Sequence, residues 1–387
     1  MKMGKKRGQS FNLLAATFLG TMDSNALVPV IAFYAVFLGS SIELTGLIVA
    51  MYSIVHVPAN IVLGRLADKI GRRNPLVFGL LWDAFSVFLY SLARNPIHLL
   101  LVRFSHGLGG GFVGPSSMAI AASLAPEGRK GRMMALYGIA LAFSVIVGFM
   151  LSGIIVSRLG YEMLFYVLSA SLIVAVAFAL SIKEPEDSER VKTTFKKDLA
   201  NILDILKRKL GLTSYSSIFC LYFVMGAFTV LVPLFMRDFG MTEIHVAISF
   251  TTFAFLSMMV HYPSGWLSDR IGAKVPAIAG LLTIALSMLL LPFFHSLLSL
   301  LPLMALFGIG HGLVFPSAST MIVQSTSADE RGLASGVFYA LLVAGVAVGA
   351  PIAAFLASIF SIEVGIWAAA FACVIGFCMV LGLLKNE

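Results

Sequence analysis

The chain has 387 residues, 59% hydrophobic and only 12% charged, with a mean hydropathy of +0.96 and a formal charge of +8. Soluble domains are roughly half apolar and about a quarter charged, so this composition needs lipid as its main solvent. It excludes a cytosolic enzyme, an extended nucleic-acid binder and a disordered chain.

A membrane-crossing helix needs about 20 mostly apolar residues. Twelve stretches meet that need, near residues 11–38, 44–64, 74–93, 97–124, 133–157, 162–182, 213–236, 244–267, 275–296, 298–324, 333–359 and 363–384. They are too long and too uniformly apolar for barrel strands, which alternate. The expected fold is therefore an all-α membrane protein with twelve transmembrane helices. The first span follows Lys2, Lys5, Lys6 and Arg7, and at about twice the length of a leader's apolar core it reads as a retained helix.

The first span carries Asp23 mid-helix, with Asn25 and Pro29 after it. A carboxylate at that depth is a functional candidate, and Pro29 should loosen the helix locally. The loop after the second span reads Gly64-Arg65-Leu66-Ala67-Asp68-Lys69-Ile70-Gly71-Arg72-Arg73. Gly64 permits close packing and Gly71 a tight turn, while Asp68 places an acid among cations. Asp83 lies in the third span beside Trp82 and is a rival carboxylate within the membrane. The fourth span contains Arg103 and His106 in LLLVRFSHGLGGGFVGPSS. An arginine there costs about 2.5–3.5 kcal/mol on insertion scales and needs a partner or a polar cavity. Glu127 follows that span in PEGRKGR.

Residues 183–212 break the apolar pattern with fourteen charges in thirty residues, which marks a linker. Within it Phe195, Leu199, Ile202, Leu203 and Leu206 share one stripe, as in a short helix lying on a membrane surface. The expected organisation is a six-helix half over 1–182, the linker, and a second six-helix half over 213–387. The loops joining odd to even sides are uneven: 23 of the 27 basic residues fall on the side holding both termini and the linker. That bias places both termini in the cytoplasm and explains the +8 charge without nucleic acid.

A shift of 201 residues aligns the halves without gaps over a long stretch. Gly64, Leu66, Asp68, Ile70, Gly71 and Pro75 recur as Gly265, Leu267, Asp269, Ile271, Gly272 and Pro276. Gly107, Gly109, Gly111, Val113, Pro115 and Ser116 recur as Gly308, Gly310, Gly312, Val314, Pro316 and Ser317. Two repeated six-helix halves are a transporter architecture, with the substrate site near the midplane. Of the membrane histidines His56, His106, His261 and His311, the last lies in the glycine-rich tenth span. None has metal-ligand spacing, and Cys220, Cys373 and Cys378 read as small core residues. No P-loop is present, so ATP does not drive this chain, and no nucleophile–base arrangement marks an enzyme.

The loop 64–73 matches the signature G-x-L-a-D-x-x-G-R-[RK] and, with the twelve spans and the repeat, resembles the major facilitator superfamily over nearly the whole chain. The resemblance implies the fold of that family and a cytoplasmic latch built by Asp68 and Arg72, with Gly64, Gly71 and Arg73 beside them. Glu127 is the expected partner of Arg72, and Gly265, Asp269 and Gly272 form the second copy, where Ala273 replaces the arginine. Arg103, Gly107 and Gly109 resemble the R-x-x-q-G-x-g motif of proton-coupled members, with His106 standing where glutamine is common. The fifth span departs from the antiporter pattern, since Phe149 and Ser152 replace a proline and a glycine.

The resemblance points to a monomeric secondary transporter of the cell membrane, surrounded by lipid and needing no cofactor. It would exchange protons for an amphiphilic or hydrophobic compound, in the manner of the drug/proton antiporter branch. Asp23 is the leading coupling acid; Asp83 is its rival, but the resemblance makes the third helix peripheral and implies a structural contact there. Asp23 is expected to communicate with Arg103 directly or through water. The alternatives are a symporter or facilitator for a small metabolite, sugar or lipid-linked molecule, and a polytopic enzyme or receptor, against which the repeated loop argues.

Overall fold

The computed structural model describes residues 2–125, 130–183, 204–205, 208–327 and 330–384. Among them are twelve α-helices and no strand. In chain order they are α1 (Lys2–Leu27), α2 (Ile31–Phe37), α3 (Ile42–Ile70), α4 (Arg73–Tyr90), α5 (Pro96–Leu124), α6 (Lys130–Leu180), α7 (Lys209–Asp238), α8 (Glu243–Ile271), α9 (Lys274–Leu290), α10 (Leu297–Ser325), α11 (Arg331–Ile359) and α12 (Ile362–Leu384). Two compact units emerge, Met1–Ser40 with Met51–Val191, and Ser41–Ala50 with Lys192–Glu387.

The helices do not map one-to-one onto the expected spans. The first span is α1 and α2 together, bent by 48°. Pro29 lies in the break, where its missing N–H cannot continue the helical ladder. The fifth and sixth spans, together α6, are two helices that meet at Gly160, whose φ of 84° and ψ of 174° are not helical. Only glycine enters that region freely, so a single residue does the work of a loop. Seven described helices are long and apolar enough to cross a membrane, eight when the bent pair counts as one. At 1.5 Å per residue each of the two helical arms of α6, on either side of Gly160, is about 30 Å or longer, enough for one crossing. Asp83 in α4, and Arg103, His106 and the glycines in α5, dilute those two apolar runs.

The 201-residue repeat extends to how the helices begin, turn and pack. Asn95 caps α5 by accepting a hydrogen bond from the His98 N–H at 2.9 Å, and Ser296 caps α10 in the same place. Gly71 and Gly272 have φ of 97° and 88°, and Gly39 and Gly240 have φ of 87° and 74°. These backbone conformations exclude most side chains. A Cβ on Gly107 would meet the Tyr52 carbonyl, and one on Gly308 would meet the Phe253 carbonyl. Gly79 sits against the Gly109 carbonyl and Gly280 against the Gly310 carbonyl. Gly148 touches the Met22 carbonyl and Gly349 the Phe223 carbonyl. Every one of these partners is offset by 201, so the helices of each half share one register.

Most of the expected linker lies outside the described residues, including the stripe from Phe195 to Leu203 and Leu206. Its end is pinned to the loop between α10 and α11. Arg208 donates to both carboxylate oxygens of Glu330 at 2.7 and 2.8 Å and to the Ser325 carbonyl at 2.7 Å. It also donates to Asp204 at 2.8 Å. The hydrogen bonds from Arg208 and then from the Ser327 N–H pull the Glu330 carboxyl down to about 2. Around both units the outer faces carry exposed Leu101, Phe104, Phe355 and Phe371, which suits a lipid boundary rather than water.

Candidate functional site

Four helices of the first unit bring charged and titratable side chains into its interior. Asp23 comes from α1, Tyr52 and His56 from α3, Asp83 and Tyr90 from α4, and Arg103 and His106 from α5. On α4 the two residues are seven apart and on α5 three apart, spacings that keep each pair on one helix face. The Nε2 of His106 lies 2.9 Å from Asp23 Oδ2, and its Nδ1 lies 3.1 Å from the Tyr90 hydroxyl. A neutral ring with the proton on Nε2 donates to Asp23 and accepts from Tyr90; an imidazolium donates to both. Asp83 joins the same group, since one ligand atom from each of Asp23, Asp83 and His106 falls within a 4.8 Å circle. All three are closed off from solvent, at 1%, 2% and 0% exposure.

Glycines make this gathering possible. A side chain on Gly109 would collide with the Asp83 carboxylate and come within 2.8 Å of Trp82 Cδ1. The indole N–H of Trp82 donates to the Ser105 carbonyl at 2.9 Å, which ties α4 to α5 at that level. Arg103 lies with its Cζ 5.2 Å from the Tyr52 ring centroid, and its side chain also reaches the Tyr90 hydroxyl. Tyr52 in turn meets the His106 ring edge to face at 5.0 Å. Asp23 and Arg103 are thus connected through His106 and Tyr90, by side chains rather than by a bare ion pair alone. Asp83 lies in the same interior as Asp23, where Gly109 lets α4 approach α5. The Oδ1 atoms of both Asp23 and Asp83 are buried without a hydrogen-bond partner.

The second half shows that the fold does not require this chemistry. Offset by 201, Asp23, Tyr52, Asp83, Tyr90, Arg103 and His106 become Val224, Phe253, Ile284, Leu291, Met304 and Phe307. All six are buried, and Phe253 and Phe307 pack edge to face at 5.5 Å. Charged groups inside a protein are costly, and apolar residues of similar volume are often as stable or more so. One half uses that apolar solution; the other retains polar side chains at all six positions. Tyr52, Tyr90 and His56 were not singled out as site residues from sequence. Their signal was the repeat itself, since Tyr52 and Tyr90 fall opposite Phe253 and Leu291.

The other candidates are placed as follows. His311 lies in the second unit, its Nδ1 2.8 Å from Ser257 Oγ, with its ring parallel to Phe315 at 6.2 Å. Gly64 and Asp68 fall in the last turns of α3, and Gly71 forms the turn to α4. Arg72 donates to the Ala119 carbonyl at 3.2 Å and Arg73 to the Leu180 carbonyl at 2.5 Å. Glu127, the expected partner of Arg72, lies outside the described residues. In the second copy Gly265 and Asp269 lie in the final turns of α8, and Gly272 turns the chain into α9.

The Major Facilitator Superfamily profile matches residues 13–223 and 214–387. The chain belongs to this superfamily. It is a membrane transporter with a small-molecule substrate, and it is not an enzyme. An uncharacterised MFS-type transporter of Methanocaldococcus jannaschii is 24% identical over 369 residues, covering 93% of this chain and 94% of that one. Multidrug resistance protein 1 of Bacillus subtilis is 24% identical over 349 residues, 86% of each chain. The crystal structure of a bacterial homologue of the human lysosomal transporter Spinster, in an inward-facing and unoccupied conformation, superposes with a TM-score of 0.85. It is 15% identical and covers 99% of this chain and 98% of that one. That likeness carries the fold, twelve helices in two six-helix halves.

Proposed function

We propose that this transporter exports amphiphilic or hydrophobic compounds from the cell in exchange for protons, as a monomer working by alternating access, with both termini in the cytoplasm. The observation that carries the reading is the buried Asp23–His106–Tyr90 chain with Asp83 and Arg103 beside it, set against an apolar counterpart in the second half. The likeness to Multidrug resistance protein 1 of Bacillus subtilis supports the substrate class.

The chemistry follows from which atoms hold hydrogen. With Asp23 ionised, His106 donates through Nε2 and Tyr90 donates to Nδ1. A proton taken by Asp23 removes its charge, weakens its hold on His106 and frees the ring to change partners. Tyr90 and Arg103 then feel the change, because both meet that ring's neighbourhood. A cationic or amphiphilic substrate and a proton thus favour different states of one cluster, and differential affinity for two states is what coupling requires. Arg72 ties the Gly71 turn to α5, the helix bearing His106. On this reading Asp68 and Arg72 latch the cytoplasmic side.

The test is uptake of a panel of amphiphilic dyes into proteoliposomes under an imposed pH gradient, with proton movement read in parallel. Dye should accumulate against its gradient with opposite proton flux, and Asp23→Asn should abolish that drive. Failure of every dye to move, or full drive in Asp23→Asn, would falsify the proposal.

A further inference from the structure

We propose that His261, His311 and Phe315, with Tyr222 beside them, form a substrate-recognition face in the second half, which takes an uncharged, planar aromatic group bearing a hydrogen-bond donor and an acceptor on its edge. The inference rests on the export reading and narrows its substrate class.

Backbone packing brings the two imidazoles together. Gly308 and Gly312 let α10 approach α8, since a Cβ on the first would meet the Phe253 carbonyl and one on the second the Ser257 carbonyl. His311, the central residue of the 29-residue α10, then reaches Ser257. His261 lies four residues beyond Ser257 on α8, one turn further along the same face. Its Nδ1–H donates to the Ser257 carbonyl at 2.6 Å, and His311 Nδ1 lies 2.8 Å from the Ser257 hydroxyl. One serine therefore orients both rings.

These partners assign the ring protons. A carbonyl only accepts, so the neutral His261 ring holds its proton on Nδ1 and presents Nε2 as a bare acceptor. Among the described residues the Ser257 hydroxyl has His311 Nδ1 as its one acceptor. Pairing that hydroxyl leaves the His311 ring proton on Nε2, as a donor. Neither Nε2 atom has a hydrogen-bond partner among the described residues. A ligand edge with one donor and one acceptor matches the pair.

The rings set the shape of that ligand. His261, His311 and Phe315 stand in a triangle with centroids 6.2, 6.2 and 5.9 Å apart, and the His311 and Phe315 rings are parallel within 3°. Tyr222 and Phe253 meet His311 edge to face at 5.8 and 5.4 Å, which fixes its tilt. Such ring surfaces favour flat aromatic partners, stacked or edge-on. Tyr222, His261, His311 and Phe315 are each half-buried. At mid-helix an imidazole with a spare donor or acceptor is costly against hydrocarbon, so the open side of this face borders water or substrate. Full charge is missing there: every Asp, Glu, Lys and Arg of α7–α12 lies within the first two or last three residues of its helix. Offset by 201, His261, His311 and Phe315 become Asn60, Gly110 and Gly114, so the three-ring face belongs to the second half alone.

The test is equilibrium binding to the full chain in lipid nanodiscs, with empty nanodiscs as the blank and no pH gradient. The probes are carbostyril, a neutral fluorescent bicyclic lactam, and N-methylcarbostyril, which lacks the N–H. Wild type should bind carbostyril about tenfold more tightly, the worth of one hydrogen bond in a dry site. His261→Phe keeps a ring but removes the acceptor, and should erase that preference while N-methylcarbostyril binds as before, which also reports a folded protein. Phe315→Leu should weaken both probes together. Equal affinity of the two probes for wild type, or an undiminished preference in His261→Phe, overturns the face. Absence of binding by both probes in a preparation that exports dye under a pH gradient overturns the face and leaves the export reading standing. The expected binding pattern in a preparation that moves no dye against a pH gradient overturns the proton-exchange reading and leaves the face standing.

Discussion

Asp23 holds His106 through one oxygen and leaves the other buried and unpartnered. That second oxygen is free to accept a new partner when the surrounding helices move. Asparagine preserves the size and one acceptor but never carries the charge. Asp23→Asn should therefore lower pH-driven transport at least tenfold, while its retained oxygen still accepts from His106 Nε2 and keeps the helices in place. His106→Gln keeps a polar contact to Asp23 but cannot titrate. We expect it to fold normally and to flatten the pH profile of transport, and an unaltered profile would show that His106 serves only as a hydrogen-bonding spacer. The acid and the arginine were visible in the sequence as expensive membrane residues. Their meeting through His106 and Tyr90 was not, because a tyrosine in an apolar helix is unremarkable until its hydroxyl is seen beside both His106 and Arg103.

At the level of helices, glycine sets how closely α3, α4 and α5 approach. Gly107 and Gly308 both lie against the backbone of the helix two before them. Alanine at either should cost about 1–3 kcal/mol through forced displacement of packed backbone, read as a lower unfolding midpoint, and equal stability of both variants with wild type would refute the close-packing account. Gly71→Ala forces a side chain into φ of 97° and should cost about 1–2 kcal/mol. The repeat at 201 residues already marked Gly71 and Gly107 with their copies Gly272 and Gly308, but not the backbone each one touches. Rotation about a helix axis is different. In α4 the polar Asp83, Ser86 and Tyr90 are scattered among apolar residues, so the sequence did not show which neighbours Asp83 meets, and its peripheral placement came from the family resemblance. Gly160 was equally silent, because a glycine within a long apolar run reads the same whether it bends the helix or only packs it.

For the whole molecule, the charge bias predicts that a cysteine at Arg190, in a background lacking the three native cysteines, resists membrane-impermeant reagent added to intact cells. Ready labelling there would reverse the orientation. The clamp at Arg208 predicts an acid dependence. Glu330 has its pKa lowered from 4.5 to about 2, so the folded state binds its proton less readily than the unfolded chain. Its stabilising effect is complete above about pH 4.5 and fades as pH falls toward 2. Glu330→Gln should slightly lower the thermal midpoint at neutral pH and shrink the further loss on acidification. An acid response identical to wild type would mean the clamp does not contribute. The two-half architecture was legible in advance because a repeat and twelve apolar runs are properties of the chain itself, whereas the position of the clamp depends on where Arg208 meets a loop more than a hundred residues away.

The asymmetry between the halves also bears on how the protein is made. Asp23 is separated from His106 by 83 residues of chain. At roughly 5–20 residues per second, translation takes about 4–16 s to produce the partner after the acid has been synthesised. During that interval α1 must wait at the insertion machinery, or its carboxylate must rest near the membrane surface, until α4 and α5 emerge to receive it. The second half carries no such debt: Val224 can enter lipid at once, and Phe307 joins it later without leaving any charge exposed in the meantime. A ribosome-stalling series through α5 should thus find the first half dependent on late helices for stable integration and the second half inserting helix by helix.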